Sequence, residues 1–225
     1  MNKFNVQALM LGITGGIVPL AAIFISAGTI NYWQGWLYGS VVIISLTAFN
    51  VSIAVHNPAA IRRRLQMGAP HEQQTRQKII TSLGMPVLLA VFVLPALDHR
   101  FGWSPVPWYI SILGEVFVFL GLYVYYRVMR SNSFAASNIQ VEEGQKVIST
   151  GPYAVVRHPM YAGACVFLVG TPLALGSLWT LLMTPVFFLV FVVRIRDEEK
   201  VLARDLTGYT EYKKKVRWRL FPGIF

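Results

Sequence analysis

Long apolar segments alternate with short polar stretches along the whole chain. Six of them approach or exceed the ~20 residues that a helix needs to cross a bilayer. The pattern therefore predicts an all-α, polytopic membrane protein with about six transmembrane helices. The segments are Val6–Ala27, Trp36–His56, Ile79–Leu97, Trp108–Met129, Pro159–Leu175 and Leu178–Ile195.

The end of the chain is expected to form a helical hairpin followed by a cytoplasmic helix. Only Gly176 and Ser177 separate the last two apolar segments. So short a joint predicts an antiparallel pair of helices. Beyond it, apolar residues recur at helical spacing, which predicts that a helix continues from Asp197 and ends at Gly208.

Composition agrees with a membrane protein. Of the 225 residues, 55% are hydrophobic and only 13% are charged, whereas soluble proteins average about 25% charged residues. The first apolar segment is longer than the roughly 7–15 residues of a signal-peptide core. We therefore expect it to be a retained transmembrane helix.

The basic residues are distributed unevenly between the predicted loops. The formal net charge of +10 would suggest a nucleic-acid partner in a soluble chain, but here the basic residues lie between apolar segments. Of the 20 Lys and Arg residues, all but Arg100 fall on one side of the predicted bundle. The positive-inside rule then places both termini and the two long loops in the cytoplasm. We expect a multi-pass protein surrounded by membrane lipids, without a nucleic-acid partner, in the plasma membrane of a prokaryote or the endoplasmic reticulum of a eukaryote.

Residues 1–225 are expected to form a single membrane domain with two regions. Region 1–129 holds the first four predicted helices and a basic interfacial segment, 57–78. Region 130–225 begins with a polar connection that is long for a bundle with short loops. We interpret region 130–225 as the ligand-binding part of the chain.

A few polar residues lie inside the apolar segments. A carboxylate in a spanning helix is costly, so Glu115 is a functional candidate, although a structural role or an ion pair with Arg100 is the alternative. Asn50 is expected to hydrogen-bond to a neighbouring helix. Cys165 is expected to pack as a small apolar residue. The four histidines are scattered without metal-ligand spacing, so no metal is expected.

A polar loop runs directly into the fifth apolar segment. Residues 151–163 read Gly-Pro-Tyr-Ala-Val-Val-Arg-His-Pro-Met-Tyr-Ala-Gly. The Gly-Pro pair predicts a turn, and Pro159 predicts the first turn of a helix. Free N–H groups at that helix start, beside Arg157 and His158, favour an anionic or polar ligand. The alternative is an anchor in which Arg157 and the tyrosines bind lipid headgroups.

A second charged motif, Arg-Ile-Arg-Asp-Glu-Glu over residues 194–199, closes the last apolar segment. Arg194 and Glu198 are four residues apart and share one helix face. They form either a simple intrahelical ion pair or a functional pair at the membrane boundary. In the second case Arg194 is suited to hold a carboxylate through two parallel hydrogen bonds.

Together the two motifs resemble the signature of the isoprenylcysteine carboxyl methyltransferase family, membrane enzymes that use S-adenosylmethionine. That family carries G-x-Y…R-H-P-x-Y-x-G and, one helical hairpin later, R-x-x-x-E-E; both occur here in that order. The resemblance covers residues 132–222 well, and the first half of the chain mainly in its hydropathy pattern. It implies a methyltransferase whose lipophilic acceptor enters from the bilayer, in the first place the carboxylate of a prenylated cysteine.

The resemblance also implies site residues. Arg194 would bind the acceptor carboxylate and would form the catalytic pair with Glu198. Of the two glutamates, either of which could by its chemistry bind the ammonium group of the cofactor, the resemblance implies Glu198, while Glu199 stays a further candidate. The other implied cofactor positions are Gln140, Gln145, Lys146, Val147, Ile148, Tyr153, His158, Pro159, Met160 and Tyr161.

Several alternatives to this activity stay open. Similar C-terminal regions occur in phospholipid N-methyltransferases, thiol S-methyltransferases and NADPH-dependent membrane sterol reductases, and a non-catalytic scaffold is a further alternative. Methyl transfer to a carboxylate needs no general base, because the nucleophile is already ionised near neutral pH, so catalysis is by positioning. An amine acceptor must lose a proton, and His158 or Glu199 would then matter as a base.

Overall fold

The computed structural model describes residues 3–64, 75–135, 141 and 144–225, and these residues form helices, turns and irregular segments without a β-strand. The predicted all-α class is therefore confirmed. Eight α-helices lie within the described residues: α1 Lys3–Ala27, α2 Trp33–His56, α3 Pro58–Arg64, α4 Thr75–Phe101, α5 Trp108–Ser131, α6 Pro159–Ala174, α7 Thr184–Asp205 and α8 Tyr209–Lys215.

Four stretches of the described chain are long and apolar enough to cross a membrane. They are Val6–Ala27 in α1, all of α2, all of α5, and Trp179–Asp205, in which a 3₁₀ turn runs into α7. α6 is apolar but shorter. The six predicted segments all correspond to helical stretches, while their number of membrane crossings and their orientation stay predictions.

The predicted joint between the last two segments is too short. α6 ends at Ala174, and a 3₁₀ turn at Trp179–Met183 precedes α7. Pro185 lies in the first turn of α7, where its missing N–H costs nothing, so the α-helix begins only there. α6 packs mainly against α5 and much less against α7. The last predicted segment therefore begins as a 3₁₀ turn and not as an α-helix, while the antiparallel pairing of the last two segments stays a prediction.

Glycines bring α5 and α6 into close contact. Gly114 and Gly121 on α5 lie against the backbone of α6, and Gly163 and Gly170 on α6 lie against α5. A Cβ atom at Gly114 would overlap the backbone nitrogen of Ala174. Small residues at this spacing let two helices approach closely in a membrane. This contact fixes the start of α6, which carries the loop motif.

We expect Gly114→Ala to destabilise the protein by about 1–3 kcal/mol, because the added methyl group overlaps fixed backbone atoms. Gly84→Ala is the matched control, since a Cβ atom there meets nothing within 4 Å and alanine favours the helix. Thermal unfolding of both variants in the same detergent measures the difference. Equal melting temperatures would show that α5 and α6 do not depend on this approach.

Polar groups within the bundle differ in how they are paired. The Tyr125 hydroxyl donates to Asn50 Oδ1 at 3.0 Å, which confirms the predicted bond between α2 and α5. Glu115 is buried, and its carboxylate has no hydrogen-bond partner within the described residues. The suggested ion pair with Arg100 does not form. Asp98, which the sequence did not single out, accepts from Ser104 and Ser177 and ties the loops at that end together.

Two contacts hold the first half of the chain against the second at the end of the bundle that carries the motifs. The Asn57 side chain donates to the Met129 carbonyl at 2.9 Å, which places the interfacial helix α3 beside the end of α5. Near the start of α4, the Gln77 amide donates to the Asp197 carboxylate on α7 at 2.9 Å. Of the predicted interfacial segment 57–78, residues 65–74 lie outside the described residues.

Candidate active site

The predicted turn before α6 is a 3₁₀ turn, Gly151–Ala154, that begins with a positive φ of 59° at Gly151. Its tyrosine, Tyr153, is held at both ends. The Asn132 side chain donates to the Tyr153 hydroxyl at 3.0 Å, and the Tyr212 hydroxyl donates to the Tyr153 carbonyl at 2.7 Å. Tyr153 is therefore fixed between the end of α5 and helix α8.

Arg157 is buried and joins this loop to the end of the chain. Its Nε donates to Glu199 Oε1 at 2.7 Å, and one terminal nitrogen donates to the carbonyls of Val216 and Arg217 at 2.8 and 2.7 Å. A guanidinium group whose donors are used in this way does not reach lipid headgroups. The interpretation of Arg157 as a membrane anchor is therefore wrong.

The backbone beside Arg157 makes the same connection. The Arg157 N–H donates to the Trp218 carbonyl and the His158 N–H to the Arg219 carbonyl, both at 2.9 Å. We call residues 216–219 the C-terminal strap. Through these bonds the strap holds the loop that leads into α6.

Glu199 lies at the centre of this arrangement. Its Oε1 accepts from Arg157 and lies 3.4 Å from His158 Nε2, and its Oε2 accepts from Arg219 Nε at 3.1 Å. Its side chain is only 6% exposed. Because both oxygens already have partners, Glu199 connects α7, the loop and the strap.

Glu198 is in a different environment although it is the next residue. Its side chain is 27% exposed, and its Oε2 lies 3.8 Å from His158 Nδ1. His158 therefore stands between the two glutamates, one at each ring nitrogen. Of the two carboxylates, Glu198 is the one placed to bind an added ligand.

The two sequence motifs meet at Tyr161. His158 is the N-cap of α6 and Pro159 lies in the first turn, as predicted. From α7, Arg194 Nε donates to the Tyr161 hydroxyl at 3.5 Å, and Glu198 interacts with the same hydroxyl. The Tyr161 ring packs against Phe191 with centroids 5.3 Å apart. Arg194 and Glu198 thus converge on one group of α6.

An apolar cluster lies on the other side of Tyr153. Its buried residues come from the end of α7, from α8 and from the strap: Leu206, Tyr209, Tyr212 and Val216. Half-buried side chains pack against them, Val141, Val147 and Tyr153 from the segment before α6 and Leu202 from α7. Two predicted cofactor positions, Val147 and Tyr153, are therefore neighbours here. An apolar wall beside charged groups suits a ligand with a flat base and a polar end.

The remaining predicted cofactor positions are less closely gathered. Met160 packs on the apolar cluster between α3 and α5. Gln145 and Ile148 are half-buried and Lys146 is exposed, all in the extended segment before the turn. Gln140 lies outside the described residues.

Burial keeps the tyrosine hydroxyls of this region neutral. It raises the pKa of Tyr212 to about 12 and raises the pKa of Tyr153 and Tyr209 further. Removing a hydroxyl from water disfavours the charged phenolate. These groups therefore act as hydrogen-bonding partners and not as bases near neutral pH.

Comparison with known families agrees with this geometry. Residues 109–207 match the family model described as "Phospholipid methyltransferase". The match runs from α5 to just beyond α7, so it includes the loop motif, Arg194 and both glutamates. It stops before α8 and the strap.

Curated relatives point to one branch of such enzymes. A protein-S-isoprenylcysteine O-methyltransferase of Schizosaccharomyces pombe is 31% identical over 62% of this chain and 56% of its own length. A probable protein-S-isoprenylcysteine O-methyltransferase of Oryza sativa subsp. indica is 36% identical over 48% of this chain and 60% of its own length. The chain is thus similar to protein-S-isoprenylcysteine O-methyltransferases over part of its length.

The extent of these matches differs between relatives. The chain spans somewhat more than half the length of the two methyltransferases. The uncharacterized protein YpbQ of Bacillus subtilis is 23% identical over 74% of this chain and 95% of its own length. The family resemblance inferred from the two motifs is thus confirmed, while substrate and activity are a matter for proposal.

Proposed function

We propose that the protein is an S-adenosylmethionine-dependent membrane methyltransferase of the isoprenylcysteine carboxyl methyltransferase type. The observation that carries the proposal is the convergence of Arg194 and Glu198 on Tyr161, directly beside His158. These residues come from two motifs in separate parts of the chain, and folding brings their side chains to one place.

The residues fit the polar end of the cofactor. Glu198, partly exposed, is suited to the ammonium group. The first turn of α6 offers N–H groups at a helix start, which together with His158 suit the cofactor carboxylate. The rings of Tyr153 and Tyr161 are suited to the base and the sulfonium. The proposed cofactor set also keeps Gln140, Gln145, Lys146, Val147, Ile148, Pro159 and Met160, whereas Glu199, whose two oxygens already have partners within the protein, is left out of it.

The proposed reaction needs positioning more than acid–base chemistry. S-Adenosylmethionine supplies a methyl group on a sulfonium. Arg194 would hold the acceptor carboxylate in line with that methyl group, and Glu198 with the loop would hold the cofactor in place. The carboxylate is already ionised, so no proton moves. Because both reacting charges disappear, the apolar surroundings of Tyr161 and Phe191 favour the step.

We further propose a topology that suits this chemistry. The whole chain acts as one domain that crosses the membrane six times with both termini in the cytoplasm, where the cofactor is available. The acceptor is lipophilic and enters from the bilayer. The membrane is the plasma membrane in a prokaryote or the endoplasmic reticulum in a eukaryote.

The first experiment is calorimetric titration of detergent-purified protein with S-adenosylhomocysteine, with NADPH in parallel. Binding of S-adenosylhomocysteine alone supports a methyltransferase. Binding of NADPH alone would instead indicate a reductase, and binding of neither by a folded sample would contradict the proposal. Methyl transfer to a synthetic prenylated cysteine with a free carboxylate then tests the acceptor.

An amine acceptor is the second candidate, because the matching family is that of phospholipid methyltransferases. The pH dependence of the reaction rate distinguishes an amine acceptor from a carboxylate acceptor. A carboxylate acceptor has a pKa near ~4, so the rate should stay level between about pH 6 and 9. An amine with a pKa near ~10 should give a rate that rises almost tenfold per pH unit over the same range. A steep rise would therefore exclude the carboxylate.

Arg194→Ala should impair use of the acceptor more than binding of the cofactor. Loss of a charged hydrogen bond corresponds to about 1.5–3 kcal/mol, or roughly 10- to 150-fold in kcat/KM for the acceptor. Arg196→Ala on the same helix is the matched control, because Arg196 is exposed. An equal loss of cofactor affinity in Arg194→Ala would show that Arg194 only supports the helix.

A further inference from the structure

Tyr209 has a buried hydroxyl group without a hydrogen-bond partner among the described residues. The residue begins α8, directly after Gly208, whose φ of 86° turns the chain between α7 and α8. Tyr209 is 4% exposed. Its hydroxyl has no hydrogen-bond partner anywhere in the described parts of the chain. Buried polar groups normally have a partner, so an exception needs an explanation.

The ring and the hydroxyl of Tyr209 belong to different surroundings. The ring packs in the apolar cluster that also contains Val147 and Tyr153. The hydroxyl lies within electrostatic range of Glu198, Glu199 and Arg157. Tyr209 thus extends from the apolar cluster towards the charged groups of the candidate site. A ligand with a flat base and a polar end would contact the apolar cluster with its base and the charged groups with its polar end.

The charged neighbours do not supply the missing bond. Glu199 and Arg157 are bonded to each other and to the strap. Glu198 is turned towards His158 and Tyr161. Among the described residues nothing bonds to the Tyr209 hydroxyl, which leaves it available to a molecule that enters the site.

We infer that the Tyr209 hydroxyl is a further contact for the cofactor, and that it hydrogen-bonds to S-adenosylmethionine or S-adenosylhomocysteine when either is bound. The inference rests on the proposed function. It adds α8 to the binding site and so places part of that site beyond the residues that match the family model.

Tyr212 offers a matched comparison three residues along the same helix. The two rings are 5.8 Å apart, and both are buried in the same cluster. The Tyr212 hydroxyl, however, donates to the Tyr153 carbonyl at 2.7 Å. One tyrosine therefore has its hydroxyl satisfied within the protein and the other does not.

The test compares Tyr209→Phe with Tyr212→Phe. Each variant is characterised by its melting temperature without ligand and by its affinity for S-adenosylhomocysteine from calorimetric titration. Tyr209→Phe removes an unpartnered buried hydroxyl, so the ligand-free protein should melt at the same or a higher temperature. Its affinity should fall about 2- to 13-fold, as expected for the loss of one hydrogen bond to a ligand. Tyr212→Phe should lower the melting temperature, because it leaves the Tyr153 carbonyl without its donor.

A melting temperature that is retained or raised, together with a weaker affinity for S-adenosylhomocysteine, identifies Tyr209 as a ligand contact. A purely structural tyrosine would lose stability and affinity together, and that result would overturn the inference. Unchanged affinity in Tyr209→Phe, with normal binding by the unmodified protein, would also overturn it and leave the proposed function intact. Failure of the unmodified protein to bind S-adenosylhomocysteine would contradict both.

Discussion

Glu199→Gln should destabilise the protein by about 3–5 kcal/mol, the usual cost of breaking a buried ion pair by removing one partner. The substitution leaves Arg157 buried without its counter-charge and removes the carboxylate that also bonds Arg219. The strap should loosen first, because both of these contacts lead to it. Thermal unfolding measures the overall loss, and hydrogen exchange of the Arg157 and His158 amides measures the release of the strap.

Asp205→Asn is the matched control for this effect. Asp205 is a carboxylate of the same helix, paired with Arg204 at 2.6 Å, but that pair is exposed to solvent. We expect its loss to leave the melting temperature essentially unchanged. If Glu199→Gln behaved like Asp205→Asn, the network around Glu199 would not be holding the loop against α7 and the strap.

Glu198→Gln should act on the cofactor and not on the fold. Replacing a charged hydrogen-bond partner by a neutral one corresponds to about 1.5–3 kcal/mol, or roughly 10- to 150-fold in affinity for S-adenosylhomocysteine. The melting temperature of the ligand-free protein should change little, because Glu198 is partly exposed and its contact to His158 is long. Titration calorimetry and thermal unfolding on the same preparation provide both values.

Glu198→Gln and Glu199→Gln together form a direct comparison of neighbouring residues. The first is expected to lose affinity with stability retained, and the second to lose stability. Glu211→Gln is a control for the change of net charge, since Glu211 is exposed on α8. Unchanged affinity in Glu198→Gln would remove this residue from the proposed site.

Most of the long helices could be predicted because the hydropathy of the sequence indicates where they lie. Segments such as Trp108–Met129 and Val6–Ala27 were placed to within about three residues, because in a membrane a long apolar stretch has few alternatives to a helix. Hydropathy carried no information on the connection between α6 and α7. There the 3₁₀ turn and the position of Pro185 decide where the helix begins, and both lie within apolar sequence.

The site was predictable only as far as its residues sit in local motifs. The motifs brought Tyr161, Arg194 and Glu198 to attention, and the structure places them together. The role of Arg157 was missed, because nothing next to it in sequence indicates that its partners are Glu199 and the carbonyls of the strap. Arg219 was missed for the same reason.

The two adjacent glutamates show most clearly what a local sequence motif cannot predict. As carboxylates, Glu198 and Glu199 are equally suited to a ligand ammonium group, and the spacing to Arg194 says nothing of their burial. The packing of the loop and the strap against one side of α7 buries Glu199 and leaves Glu198 partly exposed. A distinction of this kind depends on tertiary contacts and has no signal in the local residue pattern.

The strap also determines when the site becomes complete during synthesis. Arg157 leaves the ribosome 42 residues before Glu199 and 60 residues before Arg217, both of which it binds. At about 5–20 residues per second this is a delay of roughly 2–12 s. During that time Arg157 lacks these partners at the membrane surface, so lipid headgroups are available to it first. A nascent chain stalled before residue 216 should therefore be inserted in the membrane yet unable to bind S-adenosylhomocysteine.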